Sequence, residues 1–464
     1  MDNEKSVRKT KIDPTKTDLL SFFNDSTVKW AAFICAGLFI ISPFIVGILC
    51  LIYHRFDYTV YAYPKIINVI WILSALSGFF AIFVKLGKTG INKKKILNTI
   101  KGNPAFVFFA FLTVWMIISF IVNGCEVYAL FGAGLRFESI FMQLGYSSVL
   151  FPAAALIKDE NKKLKLARLH EVASLFLVPV AFILWKYQQT SPMFDWTPSF
   201  TAIYSNTNYY GYYLAVSVPL AAAMLVAEKK PVWKIVSAVT LAANAVALSY
   251  NDTMGAWVAC GIAMIFIFIT HIIVEKKFNV WVVIAAAIFA AGLFLPGIIR
   301  QNLAANTAQL GADITNIVTD PENAGTAGSG RWLIWKRNIE LILQYPVFGI
   351  GFEGIDARGL IDFTGNYRAH NEYLQYTVFY GIPAGIAYIC GFFTVFLRAL
   401  KRRAELSALT LVCLTATFGY LVSAFFGLTL FCTTPFLFIF LGMGYTCGKA
   451  KKAPPPGELA PQGD

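Results

Sequence analysis

The sequence predicts an all-α polytopic membrane protein of about twelve transmembrane helices, with one long extracytoplasmic loop that carries an amphipathic helix. Three observations predict it. The 464 residues are 57% hydrophobic and only 14% charged, with mean hydropathy +0.61, whereas soluble domains carry roughly 25% charged residues. The apolar residues fall in blocks of about 18–22, the length that crosses a hydrocarbon core. The net charge of +13 is distributed by side of the membrane. Together these exclude a soluble enzyme, a nucleic-acid-binding protein and a disordered chain.

Residues 1–29 are a polar cytoplasmic segment (Lys5, Arg8, Lys9, Lys11, Lys16 and Lys29), too long and too charged for a cleavable signal. Nine spans follow within 30–299, at 30–52, 66–84, 105–122, 137–157, 170–185, 209–227, 232–248, 253–274 and 280–299. Residues 300–371 form the extracytoplasmic loop, and three more spans lie within 372–447, at 372–397, 406–425 and 429–447. The tail 448–464 is Pro/Gly-rich and expected to be disordered. Pro43, Pro152, Pro179, Pro219 and Pro383 fall inside spans, where membrane helices tolerate kinks. With the N-terminus inside, 29 of the 39 basic residues lie in cytoplasmic connections. The positive-inside rule therefore accounts for the charge, and no nucleic-acid partner is implied. The cysteines form no CxxC pair and no Cys/His cluster, so neither a zinc site nor a disulfide framework is predicted.

The loop 300–371 concentrates the chemistry. It holds Arg300, Arg331, Lys336, Arg337, Arg358 and Arg368 against seven acidic residues, Glu353 among them, and connections of this length are usually functional or disordered. Within it, Gly325, Gly328 and Gly330 approach a helical pattern running from Arg331 to Tyr345, with Ser329 as N-cap and Pro346 as its stop. Arg331, Trp335, Asn338 and Ile342 share one face. A helix N-terminus points N–H groups at an anion, and Arg331 adds a bidentate phosphate donor. The competing explanation is an amphipathic helix lying on the membrane surface.

Where the loop re-enters the membrane stands Arg368-Ala369-His370-Asn371-Glu372-Tyr373. Of four histidines, His170 and His271 are expected at interfaces and His54 in a short loop. His370 alone sits at a span mouth beside Arg, Asn and Glu, where an imidazole suits proton abstraction from a hydroxyl; a helix-capping role competes. Arg136 and Glu138 open the fourth span, where charged groups face a partner or a water-filled cavity. Asn206 and Asn208 precede the sixth span and Asn251 to Trp257 the eighth, both positions that capping explains. No Walker loop occurs, and span interiors hold almost no ionisable groups, which disfavours ATP-driven and ion-coupled transport.

The order of these motifs resembles the O-antigen ligase/O-antigen polymerase superfamily of bacterial polysaccharide enzymes. The residues are Asn206, Asn208 and Gly211, then Asn251-Asp252-Thr253-Met254-Gly255-Ala256-Trp257, then Gly330, Arg331 and Trp335. Pro346, Gly349 and Gly351 follow, and last His370, Asn371, Tyr373, Leu374, Gly381 and Pro383. Arg136-Phe137-Glu138 is similar to the R-Y-E-G of Firmicute-type members, with Ser139 in place of the glycine. One departure is Thr253-Met254-Gly255 where many members carry Ser-Arg-Gly; it reads as subgroup character and weakens a strict ligase assignment.

The resemblance implies a multi-pass enzyme of the bacterial cytoplasmic membrane with an outward-facing site. Its donor would be an oligosaccharide on undecaprenyl diphosphate and its acceptor a hydroxyl of a glycan, lipid or protein. It implies no cofactor and, in the ligase branch, no metal. A flippase and a chain-length regulator are the partners it suggests beyond the membrane lipids. His370 and Arg331 then become the catalytic candidates, with Arg136, Glu138, Asn206, Asn208, Arg337, Arg368, Asn371 and Glu372 as substrate-binding candidates. The rival from another class is a polysaccharide flippase without catalytic activity, for which related halves and cationic span interiors are expected.

Overall fold

The computed structural model describes residues 24–53, 63–89, 102–131, 138–190, 199–204, 206–275, 279–299, 330–357 and 368–446, with a few isolated positions besides. These residues are mostly helical and include no strand. The first three long helices are α1 (Asp25–Tyr53), α2 (Tyr63–Thr89) and α3 (Pro104–Val122). Next come α4 (Ile140–Ala155), which contains a π turn at Tyr146–Leu150, and α5 (Glu160–Thr190). The chain continues with α6 (Thr207–Ala227), α7 (Pro231–Asn251), α8 (Met254–Glu275) and α9 (Val280–Ile299). After α10 (Arg331–Gln344) come α11 (Glu372–Tyr380), α12 (Ile382–Lys401), α13 (Ala408–Ser423) and α14 (Thr434–Tyr445).

Among the described residues, nine helices are long and apolar enough to cross a membrane, and Ile140–Ala155, Val280–Pro296 and Thr434–Tyr445 are shorter apolar ones. The protein is a multi-pass membrane protein. Its outer helices present apolar rows to their surroundings, as Val69, Ile72, Leu76, Phe79 and Phe83 do on α2, which in water would be an aggregation liability and in lipid is ordinary solvation. By contrast α6 is buried over 94% of its apolar window and forms the hub, packed by α5, α7, α8, α9 and α13. Small residues allow this crowding: a Cβ on Gly419 of α13 would stand 2.3 Å from the Ala215 carbonyl oxygen of α6.

Two expected spans differ in detail. α5 begins at Glu160, ten residues before the predicted 170, because its charged first turns find partners: Lys163 is fully buried and donates to Glu160 Oε1 (2.9 Å), Thr410 Oγ1 (3.3 Å) and the Thr446 carbonyl (2.9 Å). This also buries His170, expected at an interface, with Nε2 2.9 Å from Ser217 Oγ. The predicted span 372–397 is two helices, α11 and α12, broken at Gly381, so Pro383 occupies the first turn of α12 and not a span interior.

The break is closed by residues 346–351. Gly381 has φ +87° and accepts no side chain, since a Cβ would stand 1.9 Å from the Val347 carbonyl oxygen. The last carbonyls of α11 are all met: Thr377 by the Gly381 N–H (2.8 Å), Val378 by Ile350 N–H (2.9 Å) and Phe379 by Gly351 N–H (2.9 Å). Tyr380 receives Trp115 Nε1 of α3 at 3.0 Å. The Ile382 N–H returns to Pro346 O at 2.8 Å. Irregular backbone in a membrane protein survives only where its polar groups are satisfied in this way.

Gly381→Ala should therefore lower stability by roughly 3 kcal/mol or more, from forced clash and positive φ together. Gly261→Ala on α8, where a Cβ meets nothing, should be neutral or stabilising by up to about 1 kcal/mol. Thermal unfolding of the two purified variants in detergent checks the contrast, and equal melting points would contradict it.

Candidate active site

The turn before α11 is held from both sides. Asn371 is its N-cap, Oδ1 accepting from the N–H groups of Tyr373 (3.0 Å) and Leu374 (3.1 Å). The Ala369 N–H donates to Gln375 Oε1 at 2.9 Å. Between these two fixed points His370 adopts φ +49°, a left-handed conformation uncommon outside glycine, and is half-buried. Backbone held in such a region reflects surroundings that over-determine it, a pattern that clusters at functional sites.

Behind the turn lies a buried charge network. Arg368 is 1% exposed and forms an ion pair with Glu353, while Nη1 reaches the Thr429 carbonyl at 3.5 Å. Glu353 itself sits at φ +56°. Glu372 accepts from the hydroxyls of Tyr388 (2.8 Å) and Tyr420 (2.6 Å). Glu138, in the approach to α4 and fully buried, accepts from the Tyr146 hydroxyl at 3.0 Å on one oxygen and 3.2 Å on the other. Burial pushes its carboxyl up to about 8, against the pull of the Arg368 guanidinium and the Tyr146 hydroxyl, so Glu138 keeps its proton at pH 7. Gln143 ties this wall to the rest, donating to Thr429 Oγ1 (3.1 Å) and accepting from the Tyr380 hydroxyl (2.6 Å). Two buried donors at or beside the turn, Arg368 Nε and Gln375 Nε2, have no acceptor among the described residues.

Facing the turn are the starts of α6 and α10. Asn206 caps α6, its Oδ1 accepting from the Asn208 N–H at 2.9 Å. Asn251 Nδ2 donates to the Phe200 and Thr207 carbonyls, both at 2.9 Å, and so anchors this end of α6 to the end of α7. Asn208 Oδ1 accepts from Arg331 Nη2 at 3.5 Å. Tyr212, one turn along α6, feels both Arg331 and Glu372 electrostatically, and Arg368 feels Tyr209. The cap of α10 falls on Gly330, at φ +81°, and not on Ser329, which lies outside the described residues. The face of α10 turned inward is Ile334, Asn338 and Leu341, with Arg331 and Trp335 half-buried at its margin.

The structure thus brings together His370, Asn371, Glu372, Arg368, Glu138, Asn206, Asn208 and Arg331. Arg337 stands apart, paired with Glu340 at 2.9 Å on a partly exposed flank of α10. Arg136 lies outside the described residues, as does Arg358. Sequence reasoning assigned no role to Glu353, nor to Tyr146, Tyr388, Tyr420 and Gln375. The available signal for Glu353 was its place between Gly351 and Gly354 in a run of turn-forming residues.

Residues 236–389 match the family model described as O-Antigen ligase. Over this third of its length the chain is similar to the O-antigen ligase family. The matched stretch runs from α7 into α12 and takes in Arg331, Glu353, Arg368, His370 and Glu372, while Glu138, Asn206 and Asn208 lie before it. A comparison with curated proteins finds no match. The match, with the apolar helices, supports a glycosyltransferase-like membrane enzyme of polysaccharide biosynthesis.

Removing one partner of a buried ion pair strands the other, at a cost of roughly 3–5 kcal/mol. Arg368→Met alone should destabilise by about that amount. Arg368→Met with Glu353→Gln should lose less than the two single changes added together. A double-mutant cycle on thermal stability measures the coupling, and strict additivity would remove the ion pair from this account.

Proposed function

We propose that the protein transfers a glycan from undecaprenyl diphosphate to an acceptor hydroxyl at the outer face of the cytoplasmic membrane, acting as a polymerase or ligase of a surface polysaccharide. The observation that carries this reading is the meeting of a half-buried arginine at a helix N-terminus, Arg331, with the left-handed histidine turn at 368–372, across the first turn of α6. The outward orientation rests on the basic residues, 29 of 39 falling on the opposite side.

His370 takes the proton of the acceptor hydroxyl as its oxygen attacks the anomeric carbon. The carbon–oxygen bond to the diphosphate breaks, and its electron pair leaves with the phosphate. Arg331 and the first N–H groups of α10 stabilise that developing charge, with Arg136 as a further cation. Asn206 and Asn208 orient the donor beside Arg331. Arg368, Asn371 and Glu372 act at the turn, and Arg368 Nε and Gln375 Nε2 supply donors for sugar or phosphate oxygens. Glu138, neutral at pH 7, offers a proton-bearing wall in place of a repelling charge. Arg337 contributes to the positive potential over the site from outside it. Polymerase stands ahead of ligase because Arg136-Phe137-Glu138 and Thr253-Met254-Gly255 are similar to Firmicute-type members.

His370→Ala and Arg331→Ala should each reduce transfer by roughly 10²–10⁴-fold, with lipid-linked single repeats accumulating while the protein stays in the membrane. Polymer of unchanged length and amount in both variants would sink the enzyme reading. Mass analysis of the lipid-linked glycans reads the result. Glycan found on lipid A core or protein, with no growth of lipid-linked chains, would reverse the order of polymerase and ligase.

A further inference from the structure

Away from the site, α5, α6 and α7 enclose a second polar cluster. Glu171 on α5 is fully buried, and among the described residues neither carboxylate oxygen has a hydrogen-bond partner. Its charged neighbours leave it uncompensated. Arg168, the nearest cation, pairs with Glu228 at 2.6 Å and lies over the Trp233 ring at 4.4 Å. His170 turns to the other flank of α5 and contacts Ser217, and Lys163 is committed to Glu160, Thr410 and Thr446. One guanidinium therefore faces two carboxylates, and Glu171, buried in an apolar helix bundle, is neutral only with a proton or with a bound cation.

Further polar side chains of α5 and α7 accompany Glu171. Ser237 on α7 faces the carboxylate, but its hydroxyl donates to the Trp233 carbonyl at 3.0 Å. Ser174, one turn along α5, donates to the Glu171 carbonyl at 3.0 Å and receives Asn244 Nδ2 at 3.1 Å. Asn244 Oδ1 and Thr240 Oγ1, both fully buried, have no hydrogen-bond partner among the described residues. Ser237, Thr240 and Asn244 stand at i, i+3 and i+7 on one face of α7, and Glu171 and Ser174 at i and i+3 on one face of α5. The bond from Asn244 to Ser174 fixes the two faces against each other.

We propose that Glu171, Ser174, Ser237, Thr240 and Asn244 form a buried site for a monovalent alkali cation. Hard oxygen donors select an alkali or alkaline-earth ion over a transition metal. A single uncompensated carboxylate balances one charge, whereas divalent sites recruit further carboxylates. The cation ties α5 to α7 beside the hub helix and has a structural role independent of the glycan-transfer chemistry.

The test uses the full-length protein purified in detergent, with melting temperatures taken at equal ionic strength in sodium, potassium and choline chloride. The site predicts a melting point about 3 °C or more higher in sodium or potassium chloride than in choline chloride, and no such difference in Glu171→Gln. Should that variant fail to accumulate, Ser237→Ala and Asn244→Ala must each shrink the difference. Identical melting points of the wild type in all three salts would overturn the proposal. So would a salt effect that survives undiminished in the variants, or a melting point that follows pH alone, which would assign a proton to Glu171.

Discussion

Four carbonyl groups at the end of α11 govern the architecture of the site. In an apolar environment a helix that stops leaves its last carbonyls without water, and each unmet group costs several kcal/mol. The protein meets them with the Gly381 and 350–351 backbone and with Trp115 of α3. Because residues 346–351 immediately follow α10, this closure ties the end of α10 to the end of α11. Ser119 of α3 adds a bond to the Phe348 carbonyl at 2.6 Å. The two helices then cannot slide independently, and what stands at their starts, Arg331 on one and the 368–372 turn on the other, is held in one frame. Gly349 and Gly351 are required at this closure by geometry: both have positive φ, and a Cβ on Gly349 would stand 2.5 Å from the Val378 and Phe379 carbonyl oxygens.

The same frame makes sense of the buried charges. A guanidinium with 1% exposure destabilises a fold unless its donors are met, and a buried ion pair seldom repays its desolvation. Arg368 nevertheless has Glu353 and Thr429 as partners, and Glu353 adopts a strained φ beside it. Such an arrangement contributes position more than stability. It clamps the residue two places before His370, while Tyr388 and Tyr420 clamp Glu372 two places after. Catalytic groups need placement within a fraction of an ångström, and a turn gripped on both sides by buried polar contacts supplies that where a loop alone does not.

What the sequence disclosed follows from what is local. α10 was legible almost to the residue, because a 3.6-residue pattern bounded by Gly330 and Pro346 is a short-range signal. The break at Gly381 was not, since a hydropathy window averages across two apolar helices and one glycine does not interrupt it. The burial of His170 was also hidden, because its partner Ser217 lies 47 residues away on another helix. At the site, Arg331, Asn208 and His370 carry legible chemistry in themselves. Glu353 does not: its meaning comes from Arg368, 15 residues on, and from a backbone angle that only the fold imposes.

That distinction separates residues that build the site from those with capacity left for a ligand. Of the motif residues, Gly211, Gly255, Gly349 and Gly381 are accounted for by close approach, Asn251 and Asn371 by hydrogen bonds to backbone, and Trp257 by its bond to Leu248 O at 3.0 Å. The arginines divide the same way. Arg368 is engaged by a carboxylate and a carbonyl in the interior. Arg331, half-buried, hydrogen-bonds among the described residues to Asn208, at the long distance of 3.5 Å. A guanidinium has five donors, so most of those on Arg331 have no acceptor among the described residues, and the first N–H groups of α10 lie at the same place. Of the two, Arg331 keeps more of its donors uncommitted, whereas Arg368 spends most of its own on holding the histidine turn.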